Sequence, residues 1–99
     1  MKEQVIAEMV VVPIGTETPD VAKYVKSCLD VVKQAKDVTY TLTAMSTIVQ
    51  GPLDRVLEIY KMMHEVPFGA GVKRVLSTLK IDDRRDKLAT IESKVKAVS

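Results

Sequence analysis

The chain has 99 residues, 46% hydrophobic and 28% charged, and fifteen Lys and Arg against thirteen Asp and Glu give a net charge of +2. That length suits a single domain over residues 1–99 with one modest core, and the charge balance excludes a nucleic-acid partner held by a dense basic face. One cysteine, Cys28, excludes an intrachain disulfide and a multi-cysteine metal site and points to the cytosol, and no apolar run approaches the ~18 residues of a membrane span.

Met1-Lys2-Glu3-Gln4 lacks a signal-peptide layout, because the apolar stretch that follows is short and ends at Pro13. Gln4 to Val12 is rich in β-formers and apolar on both faces, with Glu8 as its one charge, which predicts a central strand covered on both sides. Pro13-Ile14-Gly15-Thr16 breaks it. Thr18-Pro19-Asp20 reads as a hydroxyl N-cap, a proline at the first helical position and an acid in the first turn. The helix it opens carries Val21, Tyr24, Val25, Cys28, Leu29, Val32 and Ala35 at helical spacing and runs to about Lys36.

Val38, Tyr40 and Leu42 alternate with threonines, predicting a half-buried strand. Ala44-Met45 connects it to a partner strand at Ser46–Gln50, ended by Gly51-Pro52. A second helix is predicted from about Pro52 to Glu65, then a loop over Val66–Gly71, then a strand from Val72 to Ile81. In that strand Val75, Ser77, Leu79 and Ile81 share one face. Asp82-Asp83-Arg84-Arg85 is a charged turn, and Asp86 is placed to cap a last helix with Leu88, Ile91, Val95 and Val98 as its stripe.

The order β-α-β-β-α-β-α gives the fold class: α+β, a ferredoxin-like βαββαβ sandwich with an added C-terminal helix and a four-stranded antiparallel sheet. Right-handed crossovers put both main helices on one face and leave the other bare. A bare face with apolar content is most simply covered by the sheet of a second copy of the chain, which predicts self-association with two-fold symmetry.

The usual catalytic signatures are missing: no phosphate-binding glycine loop, no HExxH and no CxxC. Cys28 lies in an apolar helical stripe and reads as a small hydrophobe. His64 is the single histidine, so no all-histidine metal site forms within one chain. It reads either as a satisfied residue at a helix end or as a pocket residue. Glu8, inside an apolar strand, needs a partner if covered. Lys80 or Arg74 would make it an ion pair; alternatively it receives a cationic or amine-bearing ligand. Ser46, Thr47, Gln50, Thr43 and Thr78 are ordinary strand residues or hydrogen-bonding groups of a mostly apolar pocket. Arg84, in the charged turn, is a solvated residue, an inter-subunit ion-pair partner or an anion ligand.

Ala7-Glu8-Met9 through Pro13-Ile14-Gly15-Thr16, Thr43-Ala44-Met45-Ser46-Thr47-Ile48-Val49-Gln50-Gly51, His64-Glu65, Arg74-Val75 through Thr78-Leu79-Lys80-Ile81-Asp82-Asp83-Arg84-Arg85-Asp86-Lys87, and Lys94-Val95 together resemble a small thiamine-binding protein family with a ferredoxin-like fold. The resemblance implies a dimer made by sheet-on-sheet packing, commonly doubled into a tetramer. It implies a homodimer or dimer of dimers that binds thiamine or its hydroxymethylpyrimidine moiety near subunit interfaces, as a ligand and not as a catalytic cofactor, with no catalysis established for the family. Within the matching motifs it points to Glu8, Ser46, Thr47, Thr78 and Lys80 as pocket residues, with His64 and Arg84 beside them. The family pattern often has an acid before the glycine where this chain has Gln50, which keeps hydrogen bonding but loses the negative charge. The other readings of the residues are an oligomeric regulatory or scaffold module without ligand, and an enzyme with its site inside a dimeric barrel.

Overall fold

A computed structural model describes residues 4–99; residues 1–3, part of the expected N-terminal layout, lie outside the described residues. The elements run β1 (Val5–Ile14), α1 (Ala22–Gln34), β2 (Thr39–Leu42), β3 (Thr47–Gly51), α2 (Leu53–Gly69), β4 (Arg74–Asp82) and α3 (Ile91–Lys96). The strands form one antiparallel sheet in the order β2-β3-β1-β4, the ferredoxin-like arrangement.

Strand alternation sorts β1 into two faces. Val5, Ala7 and Met9 are buried against the helices, while Ile6, Glu8, Val10 and Val12 point the other way. The core closes on Val32 of α1, Val49 of β3, and Val56 and Ile59 of α2, all fully buried. Each such side chain contributes about 1.5–3 kcal/mol by leaving water.

Several boundaries differ from the sequence reading for local reasons. α1 starts at Ala22, not at Pro19. Thr18 Oγ1 accepts from the Asp20 N–H at 3.2 Å and Asp20 Oδ1 from the Ala22 N–H at 3.0 Å, so the expected cap is spent on a turn before the helix. β2 is exposed throughout rather than half-buried, because it is the sheet edge. α3 is shorter than expected and begins at Ile91. Asp86 does not cap it, since Arg84 takes its carboxylate at 2.5 and 2.8 Å. Thr90 caps it instead, in a reciprocal pair with Ser93.

The predicted loop at Val66–Gly71 is mostly helix, because α2 continues through Pro67 to Gly69. A proline inside a helix leaves the carbonyl four residues back without its donor. That carbonyl belongs to Met63, and the Cys28 thiol donates to it at 3.4 Å. The buried Pro67 and the cysteine of the facing helix therefore compensate each other.

The face away from α1 and α2 is open at one end and strapped at the other. Gln50 of β3 accepts the Ile91 N–H through Oε1 at 2.7 Å, and Lys94 pairs with Asp82 of β4, so α3 is tied to two strands on either side of β1. At the opposite end Val12 and Leu76 are exposed, Leu76 at 61%.

The sheet also has a gap. β1 pairs with β4 from Ile6 to Ile14 but with β3 only from Val5 to Met9. Beyond Met9, the β3 side of a central strand is a free edge. Pro13 falls on this stretch, where a missing N–H breaks no ladder bond.

Candidate functional site

Glu8 sits half-buried in the middle of the open face, opposite Ile48 of β3 and Lys80 of β4. Its carboxylate accepts the Ser46 hydroxyl at 3.0 Å. Among the described residues this is its hydrogen-bonding side chain; the expected ion pair with Lys80 is not formed, and Arg74 lies six residues along β4, opposite Ile14. Ile6, Ala7, Ile48 and Lys80 line a shallow cavity of about 180 Å³ with Glu8. A carboxylate on an apolar floor, with one oxygen held by Ser46 and no ion pair to the neighbouring Lys80, suits a cation or an amine.

Thr78 shares this face, one register step from Glu8, opposite Val10. Thr47 does not share it: the residue is buried on the helix side, opposite Met9. The period of two carries adjacent strand residues to opposite faces, yet Ser46, at the end of the β2–β3 turn, and Thr47 both line the recess beside β1.

His64 is not at a helix end, because α2 runs on past it. It lies between α2 and β4, where Nδ1 meets Ser77 Oγ at 2.7 Å and the ring packs edge-on to Phe68 at 5.5 Å. This satisfies the histidine on the helix side, away from Glu8. Arg84 is exposed, held by Asp86, whose pKa that hydrogen bond lowers to about 2. Burial raises the Cys28 thiol above its usual range, which fits an inert packing role. No group of three or more described His, Cys, Asp or Glu residues is arranged to hold a metal, and no described helix is long and apolar enough to cross a membrane.

Sequence reading missed the gap beside β1. The gap opens into a cavity of about 130 Å³ lined by Met9 and Val11 of β1, Cys28 of α1, Met63 of α2, and Met45 and Ser46 of the β2–β3 turn. The available signal was Pro13 in a strand otherwise fit for a sheet centre. The role of Gln50 was also missed. Besides receiving Ile91, it donates through Nε2 to Gln4 Oε1 at 3.1 Å, so it is committed on both sides of its amide.

The fold and this face define a ferredoxin-like α+β plait with a polar site set into an otherwise apolar open sheet. The chain belongs to the thiamine-binding protein family, whose profile, described as "Thiamine-binding protein", matches residues 7–99. The UPF0045 protein YqgV of Bacillus subtilis is 41% identical over 97 residues, covering 95% of this chain and 93% of its own. The crystal structure of the MJ1052 protein of Methanocaldococcus jannaschii is similar at a TM-score of 0.89 and 41% identity, covering 97% of this chain and 96% of that one. A Bacillus cereus domain of unknown function is similar at a TM-score of 0.86 and 33% identity, covering 98% and 91%.

Proposed function

We propose that this protein binds thiamine, or the hydroxymethylpyrimidine moiety of thiamine, in the cytosol near an interface between copies of itself, and carries out no chemistry on it. One observation carries the reading: Glu8, a half-buried carboxylate on an apolar sheet face, has Ser46 rather than a cation as its hydrogen-bonding partner. Thiamine brings a cationic thiazolium and an amino-substituted pyrimidine, which match an acceptor of this kind. Thr78 and Lys80 flank the carboxylate on the same face. Membership of a family described as thiamine-binding supports the ligand class.

The exposed end of the sheet supports self-association. Val12 and Leu76 face water beside Val10, and a second sheet laid on them removes that surface. A two-fold arrangement would also bring a second Glu8 face near the first and enclose both. Light scattering then gives a dimer or tetramer, and a strict monomer at micromolar concentration contradicts the assembly.

Thermal shift with thiamine and with hydroxymethylpyrimidine tests the binding. At 100-fold excess over the dissociation constant a ligand adds nearly ~3 kcal/mol to stability. A clear rise in Tm is expected; no rise at millimolar concentration of either compound contradicts the proposal.

A further inference from the structure

Ile14, the last residue of β1, pairs with Arg74, the first of β4. The loops that leave β1 and enter β4 therefore meet at this end of the sheet, beside the start of α1. Each loop has a glycine in the left-handed region, Gly15 at φ 80° and Gly71 at φ 94°. Between these loops and α1 lies a cavity of about 700 Å³, within the range of small-molecule sites. It is separate from the Glu8 cavity, since Ile14 lies roughly 20 Å along β1 from Glu8.

Two lysines distant in sequence converge on this cavity, Lys23 from the first turn of α1 and Lys73 from the residue before β4. Among the described residues neither has a carboxylate partner. Glu17 lines the cavity without pairing with either, and the Asp20 carboxylate is turned to the Ala22 N–H. Lys23 Nζ stands 5.0 Å from the centroid of the Tyr24 ring, a contact that holds the ammonium at the cavity wall. Thr18 Oγ1 accepts from the Asp20 N–H at 3.2 Å, which leaves the hydroxyl proton for another acceptor. Like charges gathered at one cavity repel until an anion compensates them.

We infer that this cavity is a second ligand site, which takes a small hydroxylated phosphate monoester with its phosphoryl group between Lys23 and Lys73. The inference goes beyond the binding function proposed above and does not depend on it. Two ammonium groups and a hydroxyl are point donors without the planar fork that arginine offers a carboxylate, and they suit the several oxygens of a tetrahedral phosphoryl group. The cavity is larger than a bare phosphate needs, and Ile14, Tyr24 and Val72 give it apolar wall for an organic body. Glu17 repels the phosphoryl group but accepts from a hydroxyl on that body. A cationic ligand fits badly, because two ammonium groups would repel it.

The test is an NMR titration of the intact chain with three probes: glycerol phosphate, inorganic phosphate and succinate. Glycerol phosphate should give saturable shifts at millimolar concentration, largest at the amides of Thr18, Lys23, Tyr24 and Lys73. Inorganic phosphate and succinate should bind more weakly. Lys23→Met and Lys73→Met should each lower the affinity for glycerol phosphate at least tenfold, with Tm near wild type because both side chains are exposed. Lys26→Met, an exposed lysine of α1 that does not line the cavity, should leave the affinity unchanged. Absence of saturable shifts, shifts spread over the surface lysines, or an equal loss in K26M overturns the site. Succinate binding as tightly as glycerol phosphate overturns the phosphoryl assignment, and inorganic phosphate binding as tightly overturns the role given to the organic body.

Discussion

Ser46 Oγ donates to Glu8 Oε2 at 3.0 Å, joining residues 38 positions apart across the β1–β3 pairing. The bond fixes one carboxylate oxygen and ties the β2–β3 turn to the sheet centre. Ser46→Ala removes it and leaves Glu8 with water as its replacement partner. Because the pair is only partly buried, urea unfolding should show a loss of about 1 kcal/mol. Ligand affinity should fall in the same variant, since the freed carboxylate no longer has a set orientation.

Gly51 ends β3 directly beneath Val38. A Cβ built at Gly51 falls 2.7 Å from Val38 Cγ1, closer than carbon atoms tolerate. Gly51→Ala should destabilise by about 1–3 kcal/mol through overpacking. Val38→Ala in the same chain removes the clashing methyl, so the double variant should lose less than the sum of the two singles. Additive losses in denaturant titrations would contradict the contact.

Gln50 holds α3 by accepting the Ile91 N–H. Gln50→Ala should release the first turn of α3, read as faster hydrogen exchange at Ile91 and at its neighbours, with β1 and α2 unchanged. Gln50→Glu keeps an acceptor for Ile91, so α3 should stay protected, while the Gln4 side-chain amide turns over to donate its N–H to the new carboxylate.

Asp86 titrates low because two Arg84 hydrogen bonds favour its charged form, with a folded pKa of about 2. The unfolded carboxyl titrates near ~3.9. A depressed folded pKa means the pair's contribution is complete above the unfolded value and disappears as pH falls through the folded one. Both side chains are exposed, so the effect on global stability is small. Carboxyl NMR should place the Asp86 midpoint near 2, and Arg84→Met should return it to the ordinary range.

The order of elements and the two faces of β1 and β4 were legible in the residues, because alternation and helical spacing are local signals that packing here reinforces. What the sequence hid depends on contacts between distant positions. Pro67 reads as a helix breaker until the Cys28 thiol is known to reach the Met63 carbonyl. Asp86 reads as a cap until Arg84 is seen to claim it. For the site, Glu8 with Lys80 and Thr78 on one face followed from strand alternation. Thr47 lies on the helix side of the sheet, where it lines the recess beside β1 together with Ser46. The gap beside Val11 depends on β3 being shorter than β1, a mismatch that only strand register reveals.

The most direct test of the account is calorimetric titration of wild-type and Glu8→Gln protein with thiamine. Glu8→Gln retains the shape of the side chain and an acceptor for Ser46 while removing the charge. Saturable thiamine binding to the wild type is expected, with at least a tenfold weaker affinity in the variant, and hydroxymethylpyrimidine, which has no thiazolium, should be far less affected. No thiamine binding by the wild type, or equal thiamine affinity in both proteins, would contradict it.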